Sequence, residues 1–273
     1  MNKQRLRKLL IGDLTWQRML VSLVFIYTFF AVYVYFRADS MIFLPPKSSY
    51  QDTKEIIKLE TKDNQLISAI YLQNTSAKYT IMYIHGNAED LGRIRPTLVK
   101  LRGLGFNVFA YDYRGYGTSQ GKPSETSAYE DVDTAYNYLT QNLNIKPEKI
   151  IVFGRSVGGG SAVDLAARKP VGGLVLESAF TSAFRVVVPI RILPFDKFNN
   201  LSKIAKVKCP VLVMHGKQDE IVPFKHGKEL FAAVKSPKLS LWVDSAKHND
   251  FDYVAGEKYG QTLQEFVNLV SQS

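Results

Sequence analysis

The stretch that decides the fold is IIVFGRSVG at residues 150–158, which continues into small residues at 159–163. Its first four residues form an apolar run typical of a buried strand, and its last five have the pattern G-x-S-x-G. A serine at the apex of a sharp strand-to-helix turn adopts strained backbone angles that expose its Oγ, and the flanking glycines avoid steric clashes there. The stretch therefore predicts a nucleophile elbow with Ser156 as the nucleophile.

Other short apolar runs are typical of strands that are covered on both faces of a parallel sheet. Helical patterns separate these runs, and the alternation predicts an α/β fold with a mostly parallel central sheet and helices on both faces. The runs are 79–84, 106–111, 173–176 and 211–214, with a last strand at 239–243 and an earlier hairpin pattern at 54–60 and 65–72. Active residues of such sheets gather on loops at the carboxyl ends of the strands.

A serine nucleophile requires a base, and the chain contains four histidines. His85 and His215 each end a predicted strand immediately before glycine, where a structural role is expected. His226 lies in a polar segment at the start of a probable helix, where a solvated surface position is expected. His248 lies in a polar loop after the last strand, and it is the preferred base.

The base in turn requires an acid that orients it and stabilises its cation. Asp219 follows the strand at 211–214 and gives the chain order serine, acid, histidine. The alternatives for the acid are Glu220, Asp244 and Asp250. Each of these is more typical of a cap or a surface carboxylate.

A tetrahedral intermediate requires backbone donors that point at its oxyanion. Val157 N–H, at the predicted helix start, is one expected donor. Asn87 N–H, on the loop that follows the strand at 79–84, is the expected second donor. A plain tight turn at 85–87 is the alternative interpretation of that loop.

These segments resemble the α/β-hydrolase superfamily, and more narrowly its Bem46-like branch, which includes membrane-associated palmitoyl-protein thioesterases. The resemblance covers roughly residues 42–272 and is carried by HGNAEDLG at 85–92, YDYRGYG at 111–117, FGRSVG at 153–158 and the segment at 241–250. It implies an α/β-hydrolase fold in which Ser156 is the nucleophile, His248 the base and then the acid, and Asp219 the orienting residue.

The resemblance also implies that residues 111–115 form a structural turn in which Arg114 pairs with Asp112. The chain differs from the family at one point. The depalmitoylating members are lipidated on an N-terminal cysteine cluster, whereas the single cysteine of this chain is Cys209.

The uncharged, apolar stretch at 19–36 predicts a transmembrane helix, because a helix of that length measures about 27 Å and matches the hydrocarbon core of a bilayer. The expected division of the chain is a basic tail at 1–18, the transmembrane helix at 19–36, a linker at 37–53 and the catalytic domain at 54–273. Because basic residues concentrate before the span, the positive-inside rule predicts a single-pass signal-anchor with a cytoplasmic N-terminus and the catalytic domain on the periplasmic, lumenal or extracellular side. Cleavage of this segment, with release of a soluble enzyme, is the alternative.

The composition favours one large domain with a tail, since the chain has 273 residues of which 46% are hydrophobic and 22% are charged. Part of the formal charge of +10 lies at 1–18, and the remainder is spread without a dense basic run that is interleaved with aromatic residues, so no nucleic-acid partner is expected. No metal-ligand cluster or phosphate-binding loop occurs in the sequence. We therefore expect neither a metal site nor a cofactor.

A short lid is expected at 179–206, between two predicted strands, and it is rich in apolar residues. Phe184, Val187 and Ile190 are the candidates for substrate contact, and the alternative is that they only cover the sheet. The sequence thus predicts a membrane-anchored serine hydrolase that cleaves carboxylic esters or thioesters with an apolar acyl group. A serine aminopeptidase of the same fold and a non-catalytic binding protein of that fold are the alternatives.

Overall fold

The computed structural model describes residues 15–188 and 190–273, and eight strands of these residues form one sheet. In chain order the strands are β1 (Ile57–Glu60), β2 (Leu66–Leu72), β3 (Thr80–Ile84), β4 (Asn107–Tyr111), β5 (Ile150–Arg155), β6 (Gly173–Glu177), β7 (Val211–Gly216) and β8 (Lys238–Val243). Their order across the sheet is β1-β2-β4-β3-β5-β6-β7-β8. The β1–β2 and β2–β4 pairs are antiparallel and all the others are parallel, so the predicted mostly parallel sheet is confirmed.

Helices connect the strands and pack on both faces of the sheet. The α-helices of the described residues are α1 (Trp16–Ile42), α2 (Leu91–Gly103), α3 (Glu125–Asn137), α4 (Gly158–Arg168), α5 (Ala183–Val187), α6 (Asn200–Ile204), α7 (Lys225–Ala233), α8 (Phe251–Ala255) and α9 (Glu257–Ser271). A π-helical turn (Tyr138–Asn142) extends α3, and a 3₁₀ turn (Pro147–Lys149) leads into β5.

Two hydrophobic clusters lie on opposite faces of the sheet. Because successive side chains of a strand point to opposite faces, the residues of β5 alternate between the clusters. Ile150 and Val152 pack with residues of α3 and α4, whereas Ile151 and Phe153 pack with residues of α2 and α9. This two-sided burial explains why the central strands are apolar at most positions.

The described residues divide into two compact units, which contain residues 15–41 and residues 42–188 with 190–273. Almost all of the first unit's described part is α1, a helix of 27 residues that is long and apolar enough, by length and composition alone, to cross a membrane. It begins before the expected span and extends to Ile42. Residues 1–14 of the expected basic tail lie outside the described residues.

The segment expected to be a linker at 37–53 differs from that expectation. Its first residues continue α1, and the rest belongs to the larger unit. Phe43 is buried and packs edge-on against Tyr113, Tyr116 and Phe198. The two prolines at 45–46 prevent regular structure here, but they do not prevent packing, so the larger unit begins at Ile42 rather than at residue 54.

The turn after β4 also differs from the expectation, because Arg114 does not pair with Asp112. Its guanidinium instead lies within 2.9 Å of Asp63, 2.8 Å of Glu130 and 2.7 Å of Asp131. Asp112 accepts hydrogen bonds from Tyr50 Oη at 2.6 Å and from Leu91 N–H at 2.9 Å. The turn is therefore tied to the core by two separate networks.

Candidate active site

The elbow at the end of β5 places Ser156 at a strained backbone position, with φ of 51°. Gly154 allows this geometry, because a Cβ at that position would lie 2.6 Å from Ala162 Cβ and 2.7 Å from Gly158 O. A Cβ on Gly158 would lie 2.7 Å from His85 O. The two glycines thus let α4 approach the ends of β3 and β5, and the turn exposes Ser156 Oγ above the sheet.

The structure brings the three predicted catalytic side chains together, although they lie on loops far apart in the sequence. His248 Nε2 lies 3.1 Å from Ser156 Oγ, and His248 Nδ1 lies 2.8 Å from Asp219 Oδ2. With a proton on Nδ1 that is donated to Asp219, Nε2 is left to accept the proton of Ser156. This is the geometry that a serine nucleophile and its base require.

Asp219 is held in place by donors on both of its carboxylate oxygens. Oδ1 accepts hydrogen bonds from Ile221 N–H at 3.0 Å and Val222 N–H at 2.7 Å, and Oδ2 faces His248 and also His215 Nε2 at 3.3 Å. Burial by itself raises the pKa of Asp219, but the hydrogen bonds from His215, His248 and Val222 outweigh it and hold the pKa well below its ordinary value. Asp219 is therefore ionised at neutral pH.

The two predicted oxyanion donors lie on loops that flank Ser156. Among residues 15–188 and 190–273, no acceptor takes the N–H of Asn87 or of Val157, so both are available to a ligand. The Asn87 side chain is fixed from the segment that follows α1. Its Nδ2 donates to Ile42 O at 2.7 Å, and its Oδ1 accepts from Leu44 N–H at 2.9 Å and Tyr116 Oη at 2.6 Å.

Comparisons with known proteins identify the family of this chain. A family model described as serine aminopeptidase, S33, matches residues 75–201. Alpha/beta hydrolase domain-containing protein 17B of Xenopus laevis is 40% identical over 229 residues, which cover 82% of this chain and 78% of that protein. The human protein of the same name is 39% identical with the same coverage. The chain belongs to the α/β-hydrolase superfamily.

Within this superfamily, the two relatives place the chain in the family of the alpha/beta hydrolase domain-containing proteins 17. Among solved structures, an esterase from Pyrococcus furiosus superposes with a TM-score of 0.70 at 23% identity, covering 82% of this chain and 98% of that one. At this identity the likeness shows the fold alone. The predicted α/β-hydrolase fold is confirmed, and the chain is a hydrolase by family.

Three histidines of this α/β hydrolase lie outside the triad, and all three are buried. The expectation of a solvated His226 is wrong, because residues after β6 cover it and Thr181 Oγ1 lies 2.9 Å from its Nδ1. Its burial lowers its pKa. His85 Nδ1 lies 2.7 Å from Gly86 O, and His85 Nε2 lies 3.2 Å from Asp112 Oδ1. The ring of His85 therefore supports the loop of Asn87.

His215 contributes to the site more directly than its position in the sequence suggests. Its Nε2 lies 2.8 Å from Val222 O, which fixes the proton on Nε2, and the same atom faces Asp219. The position of His215 at a strand end before glycine does not by itself indicate the contact with Asp219. The one related feature of the sequence is that Asp219 follows His215 by four residues, just past the end of β7.

The alternative acids of the hydrolase lie outside the triad. Asp244 is 84% exposed at its side chain and pairs with Lys217 at 2.6 Å. Asp250 Oδ1 accepts the N–H of Lys247 at 2.7 Å, and Glu220 is exposed. Only Asp219 among these four contacts the ring of His248 in the described part of the chain.

The lid residues of the hydrolase divide into two kinds. Phe184 is half-buried and packs edge-on against Phe195. Val187 and Ile190 are 83% and 67% exposed, so they do not cover the sheet.

A cavity of about 490 Å³ lies away from the lid, at the amino ends of β5, β6 and β7. Among the described residues, no group of three or more histidine, cysteine or acidic side chains is arranged to hold a metal ion.

Proposed function

We propose that this α/β hydrolase is a membrane-anchored serine hydrolase that cleaves carboxylic esters or thioesters with an apolar acyl group. The observation that carries the proposal is the pair of contacts of His248, at 3.1 Å to Ser156 Oγ and 2.8 Å to Asp219 Oδ2. A histidine that bridges a strained, elbow-borne serine and an ionised carboxylate is the arrangement that activates serine for acyl transfer.

The proposed reaction has two halves. In the first half, Ser156 Oγ attacks the acyl carbon and gives its proton to His248 Nε2, while Asp219 stabilises the imidazolium that forms. The developing oxyanion accepts the N–H groups of Asn87 and Val157, each worth about 3–4 kcal/mol to the transition state. His248 then gives the proton to the departing alcohol or thiol, which leaves an acyl-enzyme on Ser156.

In the second half, water attacks the acyl-enzyme. His248 accepts a proton from that water and returns it to Ser156 Oγ, so the carboxylic acid is released and the serine is regenerated. Apart from substrate and water, the cycle as written uses only groups of the chain, because one proton moves through His248 in each half. The residues of the triad thus account for the whole cycle.

The apolar acyl group is supported by the lid between β6 and β7. Val187 and Ile190 expose their side chains, and Phe184 lies beside them in sequence, so the three offer apolar surface near the carboxyl edge of the sheet. Apolar side chains at that edge favour an acyl chain over a charged substrate. The resemblance to palmitoyl-protein thioesterases points in the same direction.

The membrane anchor rests on α1, whose length and composition suit a bilayer span. Basic residues at 1–18 outnumber acidic ones, which favours a cytoplasmic N-terminus and the catalytic unit on the opposite side. An uncleaved α1 keeps the enzyme in the membrane fraction, whereas cleavage releases it.

One specific observation favours a second candidate function, a serine aminopeptidase, because the matching family model carries that description. The two candidates use the same triad and differ in the bond cleaved. A binding protein without catalysis is the third candidate, and it predicts ligand binding with no turnover.

A substrate panel separates these candidates in the full-length protein in detergent. The panel contains p-nitrophenyl esters and acyl thioesters of increasing chain length, together with amino-acid p-nitroanilides. We expect turnover of esters or thioesters that rises with acyl length and is absent in Ser156→Ala. Turnover of the anilides alone would establish the aminopeptidase, and no turnover of any substrate by wild type would refute the catalytic proposal.

A further inference from the structure

Arg155, the residue immediately before the nucleophile, makes contacts that the catalytic cycle does not use. Its side chain is only 12% exposed, and its guanidinium forms an ion pair with Glu89 and lies 3.3 Å, through Nε, from Glu177 Oε1. The second terminal nitrogen, Nη2, donates to His248 O at 3.2 Å and to Asn249 Oδ1 at 3.0 Å. One side chain thus contacts three different loops at the carboxyl edge of the sheet.

Glu89 connects the guanidinium to the loop of the proposed oxyanion donor. Its Oε2 accepts the N–H of Gly86 at 2.8 Å, while its other oxygen pairs with Arg155. A Cβ on Gly86 would lie 2.9 Å from Glu89 Oε2, 3.4 Å from Arg155 Nη1 and 3.6 Å from Ser156 Cβ. The ion pair therefore packs directly on the backbone that precedes Asn87 and beside the nucleophile.

Glu177 connects the guanidinium to the end of β6. The backbone carbonyl of Glu177 accepts Ser156 N–H at 2.9 Å, and its Oε2 accepts Tyr259 Oη at 3.1 Å. Glu177 thus holds the nucleophile in two ways. Its backbone carbonyl binds the main chain of Ser156, and its carboxylate binds the side chain of Arg155, the preceding residue. Buried, charge-assisted contacts of this kind fix geometry, because a planar guanidinium has a rigid fork of donors.

We propose that Arg155 is a positioning residue, which fixes the loops of Asn87, Ser156 and His248 in one geometry. This inference rests on the proposed serine-hydrolase function and adds a residue that does not touch substrate. The fork sets the distances between these segments, because Nη1 pairs with Glu89, Nε with Glu177, and Nη2 donates to His248 O.

The test uses three variants of the full-length protein in detergent. Arg155→Met removes both fork and charge, whereas Arg155→Lys keeps the charge and loses the fork. Arg114→Met is the matched control, because Arg114 is 6% exposed at its side chain and pairs with three carboxylates in a turn that does not contact the triad. The measurements are kcat and KM on the preferred ester and the NMR chemical shifts of the His248 ring.

We expect Arg155→Met to lower kcat about 100-fold with little change in KM, because misplaced reacting groups lose orientation. The NMR chemical shifts of the His248 ring are expected to change, because the ring moves relative to Ser156 and Asp219. Arg155→Lys is expected to lower kcat as well, because lysine keeps the charge and loses the fork. Arg114→Met is expected to lose stability while its kcat and its His248 ring shifts stay at wild-type values.

A folded Arg155→Met variant with wild-type kcat and wild-type His248 ring shifts would overturn the inference. Where Arg155→Met does not fold, Glu89→Gln replaces it, since glutamine keeps an acceptor for Gly86 and removes the ion pair with Arg155. Its kcat is expected to fall and its His248 ring shifts to change, and no change in either would overturn the inference. The ring shifts need no turnover, so they test this inference even where an inactive wild type refutes the proposed function.

Discussion

At the scale of single residues, Asp219 is the side chain whose surroundings constrain the chemistry most tightly. Each carboxylate oxygen faces two donors, two of them backbone N–H groups and two of them imidazole nitrogens. An amide in its place retains one oxygen for the backbone but turns an NH₂ group toward His248. The ring must then accept at Nδ1 and carry its proton on Nε2, where it cannot accept the proton of Ser156.

We therefore expect Asp219→Asn to lower kcat by roughly 10³–10⁴-fold while KM changes little, because the substituted site binds substrate with a ring in the wrong tautomer. Steady-state kinetics on the preferred ester measure both constants. Asp244→Asn is the matched control, since Asp244 is an exposed carboxylate near the same loop, and its kinetics should stay at wild-type values. Equal losses in the two variants would contradict the assignment of Asp219.

The sequence predicted the three side chains that meet in the candidate site, because each occupies a position that chemistry defines. Ser156 sits in a motif with a steric rationale, and His248 and Asp219 follow strands whose carboxyl ends must meet. The roles of His215 and Arg155 depend on which loops approach each other. No local pattern encodes such an approach, so these contacts become visible only in the folded chain.

At the scale of secondary-structure elements, the elbow depends on how closely α4 approaches β3 and β5. The absence of a side chain at Gly154 permits that approach, since a Cβ would lie 2.7 Å from Gly159 Cα. Backbone on the far side of the contact cannot move away without shifting the helix. The strained φ of Ser156 is maintained only while this packing holds.

We expect Gly154→Ala to lower the free energy of unfolding by about 1–3 kcal/mol, because the added methyl group overpacks the elbow. Its kcat should fall as well, since the shift moves Ser156 Oγ away from His248. Chemical denaturation and ester kinetics measure the two effects.

The control for this substitution is Gly103→Ala at the end of α2, where an added Cβ meets nothing within 4 Å. There the free energy of unfolding should stay constant or rise by up to about 1 kcal/mol, because alanine favours helix. If Gly154→Ala were as benign as Gly103→Ala, the steric account of the elbow would be wrong.

The elements themselves were largely predictable, and the exceptions have physical reasons. The central strands of the parallel sheet are buried on both faces and therefore apolar at most positions, which makes them visible in a single sequence. The burial of His226 was not predictable, because polar neighbours in sequence indicated solvent, whereas the cover comes from residues after β6. Short lid helices such as α5 and α6 give too few turns for a periodic signal.

At the scale of the whole molecule, the chain combines one apolar helix with a catalytic unit that begins at Ile42. The sequence predicted both parts and misplaced the boundary between them. Polar and proline-rich composition at 43–53 resembles a linker, but Phe43 is buried and Tyr50 Oη donates to Asp112. Composition reports the average environment of a segment, whereas the boundary here depends on two aromatic side chains.

Two truncations test this boundary and the anchor. We expect full-length protein to remain in the pellet after carbonate extraction and residues 42–273 to be soluble and active. Residues 54–273 should be less stable by at least about 3–5 kcal/mol, the cost of losing a buried phenylalanine. Full-length protein in the supernatant would contradict the anchor, and equal stability of the two fragments would contradict a unit that begins at Ile42.

The most direct measurement on the central claim is the intact mass and peptide map of full-length protein after reaction with a fluorophosphonate. Because His248 and Asp219 activate one serine, we predict a single covalent adduct on Ser156, formed slowly or not at all in His248→Ala. An unmodified protein, an adduct on a different residue, or equal labelling of the His248→Ala variant would contradict the account.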